Sequence, residues 1–450
     1  MKQYIELITS STFRTRTFLF LSGLFIASCI VFMNSRLNSY QLDNIDTVYM
    51  GTRLNTLNEY LGLLDSGFPV PVSRISESYY VFYLYASYFG HILGITQAWQ
   101  LFLIIQMIFG FILLLFYPLI TYKITKSIIL SVLSPVFIFQ LTGRFLFMQK
   151  NDISWILAWI VIIGVPLLYI YYEENNTKTA TLVFVTICLI IGVSNVFRVH
   201  AALPITIIFA AIVLRKFVNK YKAGKENITL IFLLVSLIAI IFSYIFFTDI
   251  VNIIYAIITN RVSDLQRMGP WHTIYIGLGW EENPFNIIFN DACADNAAKG
   301  VNPDVIYCSG EYMDILKNLY LDLFKSNKSY FFLTYTKKLF VCIYWDISYS
   351  IKHEQGFSFI IYIICFLSVL YIFFKQKDII RNIVKQYGLL FAICFILIFG
   401  MLLYPMMAHP NLPYLYGSLA ACEMLIFFVL LALLQRFIIV VSKQYNGEGA

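Results

Sequence analysis

Apolar stretches of about 20 residues, the length a helix needs to cross the hydrocarbon core of a bilayer, recur along most of this chain. Ten are readable, at 17–35, 97–121, 127–143, 154–172, 179–196, 201–217, 228–247, 356–374, 387–407 and 413–436. In hydrocarbon every backbone N–H and C=O must be satisfied within the segment, so runs of this length dictate helices. Charged residues make up 13% of the chain, about half the share in soluble domains. The expectation is an all-α polytopic membrane protein. The third segment is short and carries Pro135.

Charge sets the expected orientation. With both termini on the cytoplasmic side, the inner segments collect seventeen of the 32 Lys and Arg, while the short outer loops hold only Arg144, Lys150 and Arg198. Excess basic residues mark cytoplasmic loops, so the net charge of +7 is read as orientation, not as nucleic-acid binding. The expected location is a bacterial cytoplasmic membrane. Residues 1–17 offer no small-residue cleavage site downstream, so the first span is expected to be retained. The stretch Tyr79–Leu93 is Tyr-rich and short for a span. Counting it would invert every later loop, so it is read as a helix lying along the outer surface.

Two outer segments follow. One is 34–98, between the first two spans. The other is 248–355, long enough for a small folded unit, which divides the chain into 1–247, 248–355 and 356–450. The inner loops are short and hold no Gly-rich phosphate loop. Any chemistry is therefore expected outside. In the second segment Gly269-Pro270 signals a turn and Ile274–Leu278 reads as a strand, while 312–324 and 330–344 have helical periodicity. A mixed outer domain is expected. Cys293 and Cys308 lie in its watery part, where a disulfide is favoured over two free thiols.

The first outer segment opens with Asp43 and Asp46, three residues apart and on one face if helical. Such a pair can act as a general base, hold a cation, or keep a loop solvated. Other polar residues stand at the expected outer ends of spans. Arg198 and His200 occupy a very short loop, where Arg198 either serves function or snorkels to headgroups. Arg144 and Lys150 share a loop with Asp152. His409 precedes Tyr414 and Tyr416 on an aromatic lip. His272, beside Trp271, is a candidate for facing a cleft in the large segment. Glu423 falls inside the last span, as a functional carboxylate or a helix-to-helix hydrogen bond.

The motif LDNIDTVY, followed by SGFPVPVSRISESYYVFYLYASYFG, resembles the first outer loop of the C-type membrane glycosyltransferases. These are the protein mannosyltransferases, the aminoarabinose transferases of lipid A, and the arabinosyl- and oligosaccharyltransferases. Asp46 with Tyr49 matches the family's acid and Tyr at +3. WHTIYIGLG and YCSGEY are similar to outer-domain stretches in bacterial proteins of this class. The chain departs from the aminoarabinose transferases: its two acids are split rather than adjacent, and Ser76-Glu77-Ser78 stands where they carry Lys-Pro-Pro. The resemblance implies transfer of a sugar from a polyprenyl-phosphate donor to a glycan, lipid or protein acceptor. It also implies Asp46 as base with Asp43 in support, and Glu77 as the reserve candidate. Arg53, Arg74, Arg144, Lys150 and Arg198 are the candidates for holding phosphate. The family's lipid-monophosphate users need no metal, and its oligosaccharyltransferases use a divalent one. An O-antigen or capsule polymerase and a lipid-linked sugar flippase are the competing readings. Neither Arg-rich outer loops nor internal repeats favour them.

Overall fold

A computed structural model describes residues 11–41, 89–95, 98–147, 155–197, 201–222, 231–246, 270–353, 377–410 and 412–445. Among them the chain is helical and contains no strand. The membrane-type helices are α1 (Ser11–Gln41), α2 (Ala98–Thr125), α3 (Ile128–Phe147), α4 (Trp155–Glu173), α5 (Thr177–Phe197), α6 (Leu203–Lys222) and α7 (Ile231–Phe246). A separate unit contributes α8 (Pro270–Gly277), α9 (Asp291–Val301), α10 (Gly310–Ser326) and α11 (Lys328–His353). Two long helices, α12 (Lys377–Met407) and α13 (Leu412–Tyr445), complete the bundle.

Among the described residues, six helices are long and apolar enough to cross a membrane: Arg14–Phe32, Ile104–Thr125, Trp155–Glu173, Thr177–Phe197, Arg381–Met407 and Leu415–Ile438. The protein is a multi-pass membrane protein. Its expected count of ten is met only in part among the described residues. The apolar parts of α3 and α7, Ile128–Leu141 and Ile231–Phe246, are shorter. The last turns of α6 are diluted by Arg215, Lys216, Lys220 and Lys222, which keeps it out of the six. The expected span at 356–374 lies outside the described residues. So does most of the expected surface helix 79–93. Its described end is helical at 89–92 and turns at Gly94, where φ is +66°.

Helix α4 is the axis of the bundle. Its residues are buried nearly all round, as a helix apolar on every face requires, and α13, α5, α2, α3, α6 and α12 pack about it. Phe109 of α2 anchors one contact, edge-on to Trp155, Trp159 and Phe197 at ring distances of 5.5, 4.9 and 5.0 Å. Trp159 Nε1 donates to Phe109 O at 3.2 Å. Gly23 brings α1 against α2, since a Cβ there would lie 2.4 Å from Leu115 O. Asn195 Nδ2 ties α5 to α7 by donating to Tyr244 O at 2.9 Å.

One end of the bundle is closed by a polar network. Gln435 Nε2 donates to Thr125 O at 2.9 Å, Gln386 Nε2 to Gln435 Oε1 at 3.1 Å, and Tyr169 Oη to Gln386 O at 3.2 Å. Lys123 bridges Glu174 at 2.5 Å. These residues come from the termini that the charge pattern expects on one side. At the opposite end α12 finishes and the 270–353 unit is seated.

That unit has its own core of Tyr275, Ile276, Leu278, Ile287, Ala294, Ala298, Val305, Tyr312, Leu316 and Phe331. The mixed character expected for it is corrected: Ile274–Leu278 is not a strand but the end of α8 running into a 3-10 turn. Pro270, the first residue of α8, presets a helical φ and needs no N–H there. Burial then falls on His272, Tyr275 and Ile276, a helical spacing that the alternating β-branched residues conceal. Asn290 caps α9 by accepting from Ala292 N, and Ser309 caps α10 by accepting from Tyr312 N.

Candidate functional site

The residues expected to act fall into two sets. Asp43, Asp46, Tyr49, Arg53, Arg74, Glu77, Lys150, Arg198 and His200 lie outside the described residues, and of Arg144 only its place in α3 is described. Their helical frame is nevertheless informative. Helix α1 begins at the polar, lysine-bearing end, where Arg16 acts on Lys126. It packs on α2 along its length and ends at Gln41, two residues before Asp43.

His272, His409, Cys293 and Cys308 lie among the described residues. His272 is completely buried in the 270–353 unit. Its Nδ1 lies 2.8 Å from Tyr312 Oη and its Nε2 3.0 Å from Asp291 Oδ1. An ionised carboxylate only accepts, so Nε2 carries the proton, and in the neutral ring Nδ1 accepts from the Tyr312 hydroxyl. The hydrogen bond from His272 holds the Asp291 carboxyl below the usual carboxylate range. Burial pushes the Tyr312 and Tyr307 hydroxyls well above the usual phenol range. Asp291's side chain is 65% exposed, so water screens its pairing with His272. An Asp–His–Tyr chain resembles a proton relay in composition. Its phenol end is sealed, with Tyr312 at 0% exposure, and reaches no substrate. His272 therefore clamps α8, α9 and α10 together instead of lining a cleft.

The cysteines also depart from expectation. Cys293 and Cys308 are unbonded. Cys293 Sγ accepts from Ile288 N–H at 3.5 Å. Cys308 is buried, with φ at +63°, and burial pushes its thiol up to about 11. Each sulfur has its own local packing.

The seat between the unit and the bundle is where polar groups converge. Gly277 carries no Cβ because one would stand 2.2 Å from Met407 O and 2.9 Å from Ala408 O. Lys338 of α11 reaches into this contact, donating from Nζ to Gly277 O at 2.6 Å and to Ala408 O at 2.8 Å. It is wholly buried, and its ammonium lies 5.6 Å from the Tyr335 ring centroid. Burial drives its pKa down to about 7. The neighbouring Lys337 is instead exposed and pairs with Glu281 at 3.1 Å. His409, next to Ala408, is half-buried against Phe289, with ring centroids 4.8 Å apart. Its Nδ1 has no partner among the described residues. Burial, and secondarily Lys338, lowers its pKa.

Sequence reasoning placed His409 on an aromatic lip at the outer end of a span; in the structure it follows the end of α12 and packs against Phe289, while Tyr416 is buried. The same reasoning gave 330–344 helical periodicity but did not single out Lys338. The available signal was two successive lysines in an aromatic run: on a helix they point about 100° apart, so the two can meet different surroundings.

No family model, curated protein or solved structure matches this chain. A sealed relay holds the unit together, and a buried lysine holds it on the bundle. At that end lie His409 and the end of α12, and α1 ends at Gln41. Among the described residues, no cluster of three or more His, Cys, Asp or Glu is placed to hold a metal ion.

Proposed function

We propose that the protein is a membrane glycosyltransferase that moves a sugar from a polyprenyl-phosphate donor to an acceptor hydroxyl at the domain-bearing end of the bundle. The observation that supports it best is that α1 ends immediately before LDNIDTVY. The helix leads away from the lysine-bearing end and stops two residues before Asp43. The proposal takes Asp43 and Asp46, which lie outside the described residues, to act near the lipid headgroups, where the phosphate of a lipid-linked sugar must sit. A helical unit rigidly seated on the same end supplies a cover for an acceptor.

The chemistry suits these residues. Asp46 takes the proton of the acceptor hydroxyl as its oxygen attacks the anomeric carbon. The bond from that carbon to the phosphate oxygen breaks, and the phosphate leaves as an anion. Arg53, Arg74, Arg144, Lys150 and Arg198 are the candidates for receiving it. Asp43 orients the acceptor, and Tyr49, Glu77, His200 and His409 border the sugar. His272 and Lys338 are positioning residues. The divalent metal that the oligosaccharyltransferase likeness implies has no ligand set among the described residues, and no step needs it.

A polyprenyl phosphate carrying a photoreactive group near its phosphate tests the placement. Irradiation of the purified chain in nanodiscs is expected to label peptides within 34–98 or 404–416. Labelling confined to the opposite, lysine-bearing end sinks the assignment.

A further inference from the structure

A cavity of about 590 Å³ opens at the lysine-bearing end, between the last turns of α4 and α6 and the first turns of α5 and α7. Its volume lies within the range of small-ligand sites. It is built in two halves. The headward half is cationic. Lys216 and Lys220 line it, and Arg215 and Lys123 stand beside it, against the two carboxylates Glu173 and Glu174. One of those carboxylates is already spent, because Glu174 bridges Lys123 at 2.5 Å. Lys216 is held in place by donating to Tyr171 O and, at 2.9 Å, to Glu174 O. Lys220 extends over the Phe232 ring at 4.9 Å and is exposed. The membrane-ward half is apolar: Val185, Phe232 and Val235 line it and are 47%, 41% and 60% exposed, as side chains that meet hydrocarbon would be.

Tyr171 belongs to the lining of the cavity. It is only 2% exposed, and its hydroxyl has no hydrogen-bond partner among the described residues. A buried hydroxyl without a partner costs free energy, so a built site with an orphan donor points to a ligand that supplies an acceptor. The Lys216 ammonium lies 4.6 Å from the centroid of its ring.

We infer that this cavity binds the phosphate of an anionic phospholipid from the leaflet at the lysine-bearing end. Lys220 and Lys216 face the phosphate, Tyr171 donates to it, and the acyl chains leave past Val185 and Val235. A soluble phosphate would use the same cationic groups but has no use for the apolar half. Anionic lipids enrich cytoplasmic leaflets and draw basic residues to them, which agrees with the side on which the charge pattern puts these lysines. The site is at the other end of the bundle from the proposed transfer chemistry and stands or falls separately.

The test uses the full chain, purified in a neutral detergent and titrated with phosphatidylglycerol, phosphatidylcholine or inorganic phosphate. Bound lipid is counted by native mass spectrometry and thermal stability is followed alongside. The expected result is saturable retention of phosphatidylglycerol at least tenfold tighter than of phosphatidylcholine. Lys220→Gln should weaken it about fivefold. Tyr171→Phe should weaken it about threefold or more while leaving the unliganded melting temperature unchanged or raised, because it removes only the orphan hydroxyl. Lys216 is left intact because it also holds α6 to α4. Equal retention of the two lipids overturns the proposal. So does saturable binding of inorganic phosphate with no preference between lipids, or retention that neither variant alters.

Discussion

Replacing Asp46 by Asn is expected to lower sugar transfer by about 10²–10⁴-fold, the usual cost of losing a general base. The substitution keeps size and hydrogen bonding but cannot take up the acceptor's proton. Donor retention should change little, because the phosphate is held by cations elsewhere. Two carboxylates three residues apart raise one pKa at the other's expense, so Asp43→Asn should shift the acid limb of the rate profile to lower pH and cost less in rate. Glu77→Gln is the control at the reserve position. Transfer that stays within about threefold of wild type in Asp46→Asn, while Glu77→Gln abolishes it, assigns the base to Glu77.

The second large effect concerns the seat. Gly277→Ala should loosen the 270–353 unit from the bundle. The added Cβ would stand 2.2 Å from Met407 O, and both partners are backbone, so no rotamer change relieves the clash. Overpacking costs about 1–3 kcal/mol where relief is partial. Amide exchange in 274–280 and 404–410 should therefore quicken about 10- to 100-fold. Gly300→Ala is the matched control, since nothing lies within 4 Å of a Cβ there. Equal exchange in the two variants would remove the close approach from the account. The same seat should be pH-dependent. Lys338's pKa falls from an ordinary 10.5 to about 7 on folding. Between those values the unfolded chain binds the extra proton, so stability rises with pH across that window. Lys338→Met should flatten the slope.

The membrane helices were legible because their signal is long and collective. Twenty apolar residues leave the backbone no alternative to a helix, and α2, α4, α5 and α13 fall close to where apolar runs place them. Position within the bundle was not legible. Composition does not distinguish α4, buried all round, from α5, whose Leu182 and Leu189 are exposed; that difference is tertiary. Short segments failed for a related reason. Thr273, Ile274 and Ile276 favour a strand locally, and only packing of His272, Tyr275 and Ile276 against α9 and α10 makes the stretch helical. Spacing of Cys293 and Cys308 suggested a bridge because sequence distance says nothing of where each Sγ points. Of the candidate site, His409 was readable as a polar residue at a helix end. Lys338 was not, because a buried lysine depends on two carbonyls from segments 61 and 70 residues away. The first-loop acids stay on the sequence argument alone.

The most direct measurement follows both halves of the donor. The purified chain in liposomes is given a polyprenyl-phosphate hexose labelled separately in sugar and lipid, with an extract of envelope glycans, lipids and proteins as acceptor source. The account predicts free polyprenyl phosphate and sugar-bearing acceptor in equal amounts, both lost in Asp46→Asn. Intact donor that only changes leaflet, or that stays uncleaved at the Asp46→Asn level, would contradict it.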